Sequence, residues 1–274
     1  MKQIQSGAII EKDGKLFRNN IEVKQHKCLN KSCTNIVFRQ KYGKFNKKKV
    51  FCSNECEESV KDPKSSTILL QKNTPNLCYL IGLIAADGNL QKESKGVSVC
   101  LKWGDTSSRR LLKKLKKLYG GRIEIYKDGC GYWKIHVKQF SDYLKSIGFT
   151  HHKTFTLDVS SWFLTLNDQL KWCFLRGCWD GDGSFIFLKN KTWYIYRAQF
   201  GTASKKLFEM LTNFLGKQNV ITRIEKSSFF KIKVHTGKKI IDIFQNMYNI
   251  TANDLFLERK YKNFLKIKKY VNKG

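Results

Sequence analysis

The chain is short of acids, of prolines and of long apolar runs, and each shortage excludes something. Its 22 Asp and Glu stand against 52 Lys and Arg, a net charge of +30 over 274 residues. An imbalance of that size exceeds what solubility requires and is the electrostatic footprint of a phosphate-backbone binder. Membrane-surface attachment is the competing use of so much positive charge. No apolar run approaches the ~20 residues that span a bilayer, however, so membrane attachment has no second feature behind it. The opening MKQIQSGAIIEKDG lacks the basic-then-apolar order of a signal peptide, and it is not the Arg-rich, acid-free type of a mitochondrial leader. Nine cysteines, an odd number, without a secretory signal argue against a disulfide framework and for an intracellular protein. The only two prolines both fall in residues 61–76, KDPKSSTILLQKNTPN, which marks that stretch as a linker. With 41% hydrophobic residues the chain can bury a sizeable core.

What is present is a repeat. LIGLIAADG at 80–88 and LRGCWDGDG at 175–183 run small and apolar residues into an Asp-Gly ending at a constant offset. Gly82 and Ala86, like Gly177 and Gly181, are four apart, so on a helix each pair forms a small-residue stripe where another backbone can approach. Gly88 and Gly183 stand where a helix-ending C′ glycine belongs, which places Asp87 and Asp182 at helix C-termini. A carboxylate is poorly placed at the negative end of a helix dipole unless a cation compensates it. If the two helices pack side by side, the two acids converge, and paired acids of this kind make a divalent-metal site for phosphodiester cleavage. A single copy would be no more than a capped core helix; two at one offset are harder to dismiss. An EF-hand reading of Asp180–Ser184 fails, because Phe185 replaces the turn glycine and Lys191 takes the place of the bidentate acid.

At these residues the chain resembles the LAGLIDADG homing endonucleases, in their monomeric form with two motif copies. The second copy, LRGCWDGDGS, matches closely; the first departs at Ala85, where the motif has its earlier acid. The resemblance implies that the last acid of each copy, Asp87 and Asp182, holds Mg²⁺ together with the carbonyls of Ala86 and Gly181, and that Asp180 is dispensable for cutting. It also implies one pair of basic residues after the second strand of each repeat and another after its last helix. In this chain Arg109 and Lys206, four residues beyond Asp105 and Thr202, are candidates for the first pair; Lys153 and Lys260 are candidates for the second, with Arg259 as the substitute one position away.

Downstream of each motif the pattern of elements repeats. VSVCLKW (97–103) is predicted as a strand, 106–120 as a basic amphipathic helix with a Thr/Ser start, and 122–127 and 132–138 as a hairpin. WYIYRAQF (193–200), a helix over 202–216 and a hairpin from 220–226 and 229–235 answer them, and helices near 138–147 and 237–248 close the halves. The expected fold is α+β: two αββαββα repeats, 77–160 and 161–274, which in the resembled family form a pseudo-twofold DNA-binding saddle. Strand alternation puts Lys134, His136 and Lys138 on one face, and Lys231, Lys233 and His235 on the other half's counterpart. With Lys102, Arg122, Glu124, Tyr126, Arg197, Gln199 and Arg223 they carry the side-chain types that read base edges and phosphates.

The N-terminal 1–62 is expected to be a separate basic module. Cys28, Cys33, Cys52 and Cys56 follow the order C-x4-C-x18-C-x3-C, a plausible spacing for structural Zn²⁺, with His26 as a substitute ligand. The alternative is four reduced cysteines in a basic arm. Cys78, Cys100, Cys130, Cys173 and Cys178 sit in hydrophobic contexts and are predicted to be buried thiols. The resemblance implies an enzyme that cuts double-stranded DNA at a long site, as a monomer, leaving short 3′ overhangs. An intron RNA maturase and a cleavage-dead DNA-binding regulator are the alternatives on the same fold.

Overall fold

The computed structural model describes residues 9–28, 33–40, 73–91, 96–189, 194–225, 229–248 and 255–272. The chain divides into two compact units, Met1–Pro63 and Lys64–Gly274.

The first unit holds a four-stranded antiparallel meander, β1 (Ile9–Lys12), β2 (Lys15–Arg18), β3 (Ile21–Lys27) and β4 (Ile36–Gln40), in that spatial order. Its first two connections are two-residue turns with positive φ at both positions, Asp13-Gly14 and Asn19-Asn20. Such turns match the twist of the flanking strands, and Asp-Gly and Asn-Asn are the residue types that tolerate them. The sheet goes beyond the basic, cysteine-bearing module expected from the sequence, and those turn pairs between short runs are its signal. Cys28 follows β3 and donates its N–H to the carbonyl of Asn35 at 3.1 Å; Cys33 lies in the same connection, whereas Cys52 and Cys56 are outside the described residues.

Among the described residues of the second unit the first element is α1 (Pro75–Asp87), capped by the Thr74 hydroxyl, which accepts from the Leu77 N–H at 3.2 Å; Pro75 sits at the first helical position. The expected linker therefore ends in a helix start. After α1 come β5 (Gly88–Leu90), β6 (Val97–Lys102), α2 (Thr106–Tyr119), β7 (Arg122–Ile125), β8 (Cys130–Ile135) and α3 (Lys138–Ser146). Two short helices, α4 (Lys153–Thr156) and α5 (Ser160–Leu164), lead to α6 (Asp168–Asp182). The same series then recurs as β9 (Ser184–Lys189), β10 (Tyr194–Thr202), α7 (Lys205–Leu215), β11 (Ile221–Glu225), β12 (Phe229–Val234) and α8 (Gly237–Tyr248), followed by α9 (Glu258–Val271). The two sheets are ordered β5-β6-β8-β7 and β9-β10-β12-β11, one topology used twice.

The helix over 106–119 is capped by Asp105, which accepts from the Ser107 and Ser108 N–H groups, and not by Thr or Ser as expected. In each sheet the inward residues alternate with outward ones: Trp133 and Ile135 of β8, and Ala198 and Phe200 of β10, are buried in one core with Leu111, Leu115, Leu207 and Leu211. Among the described residues no helix is long and apolar enough to cross a membrane.

Candidate functional site

The site is built on α1 and α6, and glycine brings them together. A Cβ on Gly82 would stand 2.0 Å from the Phe174 carbonyl oxygen, and one on Gly177 would stand 2.1 Å from that of Tyr79. Each helix thus rests its backbone on the other through the small-residue stripe. Gly88 and Gly183 end the two helices, but in extended conformation (φ −93° and −82°) rather than the left-handed one expected of a C′ glycine. Their absent side chains matter for another reason: a Cβ on Gly183 would meet the Trp179 indole at 2.4 Å, so the chain can turn from α6 straight into β9.

Two helix C-termini side by side leave unpaired carbonyls and add two dipole ends of the same sign. Two buried lysines answer them. Lys153, 8% exposed, donates its Nζ to the Ala85 and Ala86 carbonyls, both at 2.8 Å. Lys260, 3% exposed, donates to those of Trp179, Asp180 and Gly181 at 2.7, 2.6 and 2.8 Å. All three ammonium protons of Lys260 are therefore engaged, which makes it a positioning cation and not a proton donor to substrate. Lys153 uses two of its three, and it lines an open cavity of about 520 Å³ with Asp182, Ala86, Thr154, Gln199 and Lys231. Burial lowers both lysine pKa values, that of Lys260 to about 8, against the opposing pull of the nearby carboxylates.

Asp87 and Asp182 feel each other. Burial, and then the charge of Asp182, raise the Asp87 pKa from 3.8 to about 6, with Lys260, Lys153 and Arg259 pulling it down. Desolvation raises Asp182 as well. An acid with a raised folded-state pKa costs stability once it ionises, and that cost is relieved as the pH falls. The stability of the metal-free protein is therefore expected to rise as the pH is lowered from 7 towards 5. Asp87→Asn should flatten that slope, as measured by urea melts across the range; an unchanged slope would mean the dyad is not strained.

Asp180, 1% exposed, lies away from the cavity. Its Oδ2 accepts from the Tyr79 hydroxyl and from the Leu257 N–H, both at 2.8 Å. It thereby ties α6 to α1 and to the residue preceding α9, the helix that carries Lys260. Dispensable for cutting does not mean dispensable for folding. Asp180→Ala strands two buried donors, and a loss of about 3 kcal/mol follows. The expected result is a lower melting temperature with single-turnover cleavage per folded molecule within a few-fold of wild type; folded but inactive protein would move the catalytic role to Asp180.

The outward sheet faces gather most of the predicted base-reading residues. On the first, Arg122 pairs opposite Lys134, and Glu124 opposite Tyr132. Glu124 accepts from Arg122 at 2.6 Å, from the Tyr126 hydroxyl at 2.9 Å and from Lys134, which holds its carboxyl down to about 2. On the second, Gln199 is opposite Lys233, which is buried, Gly201 is opposite Lys231, and Arg197 lies two residues along from Gln199; the backbone of Arg223 is in register with that of Lys231. Lys102 ends β6, exposed. His136 and His235 lie just past the ends of β8 and β12, and Lys138 is not on a strand at all: it opens α3 and pairs with Asp142 at 2.6 Å.

The first basic pair does not form as a symmetric pair. Asp105 and Ser204 are the equivalent caps, so Arg109 is the fourth residue of its helix and Lys206 the second. Arg109 contacts Thr106 and the Trp103 ring, and Lys206 lies exposed towards Asp158. Arg259 does not replace Lys260; it ion-pairs with Asp105 at 3.0 Å and donates its N–H to Ser107. Of the five cysteines expected to be buried, Cys78, Cys173 and Cys178 are, whereas Cys100 and Cys130 stand half-exposed on the outer face of the first sheet, beside Tyr132 and Lys102. Their strand positions alternate outward, which the hydrophobic context concealed. Among the described residues no cluster of three or more His, Cys, Asp or Glu is present.

Residues 170–250, from α6 through α8, match the family described as the LAGLIDADG-like domain. No match is found among curated proteins. Among solved structures, the chain is similar to the I-SmaMI LAGLIDADG homing endonuclease bound to cleaved DNA, at 17% identity and a TM-score of 0.45, covering 72% of this chain and 88% of that one. It is also similar to LAGLIDADG homing endonuclease I-GzeII in complex with its DNA target, at 14% identity and a TM-score of 0.47, covering 72% and 89%.

Proposed function

We propose that the chain is a site-specific endonuclease that hydrolyses both strands of duplex DNA at a long recognition site, with Mg²⁺ as cofactor and short 3′ overhangs as product. The observation that carries this reading is the pair of glycine-packed helices whose adjoining C-termini bear Asp87 and Asp182, each end held by a buried lysine. Two carboxylates and neighbouring carbonyls form an all-oxygen donor set that suits a hard divalent cation, and the raised pKa of Asp87, caused by burial and then by the Asp182 charge, supports that reading. Asp87, Asp182 and the carbonyls of Ala86 and Gly181 would hold it. When bound, Mg²⁺ supplies activation of water and neutralises charge gathering on the phosphate.

The protein's own groups do the rest. Lys260 and Lys153 fix the carbonyl ends, so the acids are presented in one geometry before substrate arrives. Lys153, with one N–H left and facing the cavity, is the cation placed to contact a phosphate oxygen. Lys231 and Gln199 line the same cavity and pass the duplex from the sheet face to the acids. In the N-terminal unit, Zn²⁺ on Cys28, Cys33, Cys52 and Cys56 is the corresponding proposal, supported by the two thiols that the β3–β4 connection carries; native mass spectrometry of the full chain tests it by one bound zinc. For the main reading, a randomised plasmid library incubated with the protein and Mg²⁺ should yield linearised molecules sharing one long site. Linearisation that survives a chelator, or no shared site, would overturn it.

A further inference from the structure

The two halves share a topology but not a reach. β9 and β10 run 6 and 9 residues, whereas β5 and β6 run 3 and 6. The paired ladder of the second hairpin is thus three residues longer, some 10 Å at ~3.3 Å per residue. Its helix side is braced by a stack of aromatic rings, Phe187 on Tyr194 and Tyr196 at 5.8 Å and on Tyr270 of α9 at 4.8 Å.

Its other side needs a different account. Residues directly opposite in the ladder share a face, and here the pairs run Gln199–Ser184, Arg197–Ile186 and Ile195–Leu188. The strip that begins with Gln199 at the cavity therefore ends in three apolar side chains, and Leu188 is 56% exposed. These side chains contribute nothing to the core, yet they continue a row of polar base-reading groups. A major groove offers one apolar target to such a row, the C5 methyl of thymine.

Building on the duplex-cleavage reading, we propose that Ile186, Leu188 and Ile195 read thymine methyls in the outer part of the half-site bound by the second repeat. Ile195 lies four residues, about 13 Å, beyond Gln199. At 3.4 Å per base pair that places the methyl contacts about four pairs farther from the cut than the pair Gln199 reads.

The test is made on the DNA, so it needs no variant to fold. Duplexes bound by the full chain are selected from a randomised pool, and thymines are then replaced one at a time by deoxyuridine, which removes only the methyl. Replacement at the outer A·T positions of one half-site should weaken binding about fourfold per methyl, and replacement elsewhere should not. An Ile186→Ala/Leu188→Ala/Ile195→Ala protein should bind thymine and uracil targets alike. Absence of A·T enrichment at those positions, or a uracil penalty that persists in the triple variant, would overturn the proposal. A pool in which nothing at all is enriched would instead remove the duplex reading beneath it.

Discussion

Asp182→Asn and Asp87→Asn proteins are expected to bind duplex DNA as wild type does and to fail at double-strand cleavage. Each substitution keeps the shape of the side chain and removes one of the two negative charges on which a divalent cation depends. A loss of roughly a thousandfold in single-turnover rate, about 4 kcal/mol, is the scale for deleting a principal electrostatic contact. The expected signature combines that loss with a gain elsewhere. Because ionised Asp87 is held at an unfavourable pKa of about 6 by burial and by Asp182, its amide should leave the metal-free protein more stable at pH 7. Gel shifts, plasmid cleavage and a thermal melt on one preparation read all three. Undiminished cutting by either variant would rule out a site shared between the two acids.

Gly177→Ala is expected to destroy the folded second unit rather than weaken it. The added carbon would stand 2.1 Å from the Tyr79 carbonyl oxygen and 2.7 Å from the Leu83 nitrogen, and both are backbone atoms that no rotamer change can move. α1 and α6 would have to separate, opening the core and breaking the Tyr79–Asp180 hydrogen bond. Overpacking a core typically costs about 1–3 kcal/mol; a clash with two backbone atoms at once belongs to the exceptional cases above about 4 kcal/mol, a large part of the ~5–15 kcal/mol that holds a domain together. Gly104→Ala is the control, since nothing lies within 4 Å of its added carbon. A cooperative melt for Gly177→Ala close to that of Gly104→Ala would show that the helices are not in backbone contact.

How much of this was legible beforehand depended on whether a signal was local. The two motif helices, their acid ends and their small-residue stripes were readable because spacing alone fixes a helix face. Both helix-capping lysines were reached only through the resemblance; nothing in HHKTF or LERKYKNF says that Lys153 and Lys260 fold back onto carbonyls far away in the chain. The strand that each αββαββα repeat requires directly after its motif helix could not be located in the sequence: the three residues of β5 carry no period of their own. Lys138 falls outside the strand because the alternation, carried three residues past Ile135, reaches the position where α3 begins. The Arg109–Lys206 pairing failed by register: β6 reaches its helix cap through Trp103 and Gly104, and β10 through Ala203 alone.

The Tyr79–Asp180 contact also decides which halves can meet. At the repeat offset, Tyr79 answers to Phe174 and Ala85 to Asp180, so the hydroxyl belongs to the first half and the carboxylate to the second. Two copies of the second half, set face to face, would confront each buried carboxylate with a phenyl ring that has nothing to donate. Two copies of the first would leave the hydroxyl facing alanine. The chain thus carries a lock against self-association of either half, and a functional exchange of halves with a related protein would have to carry both residues across together.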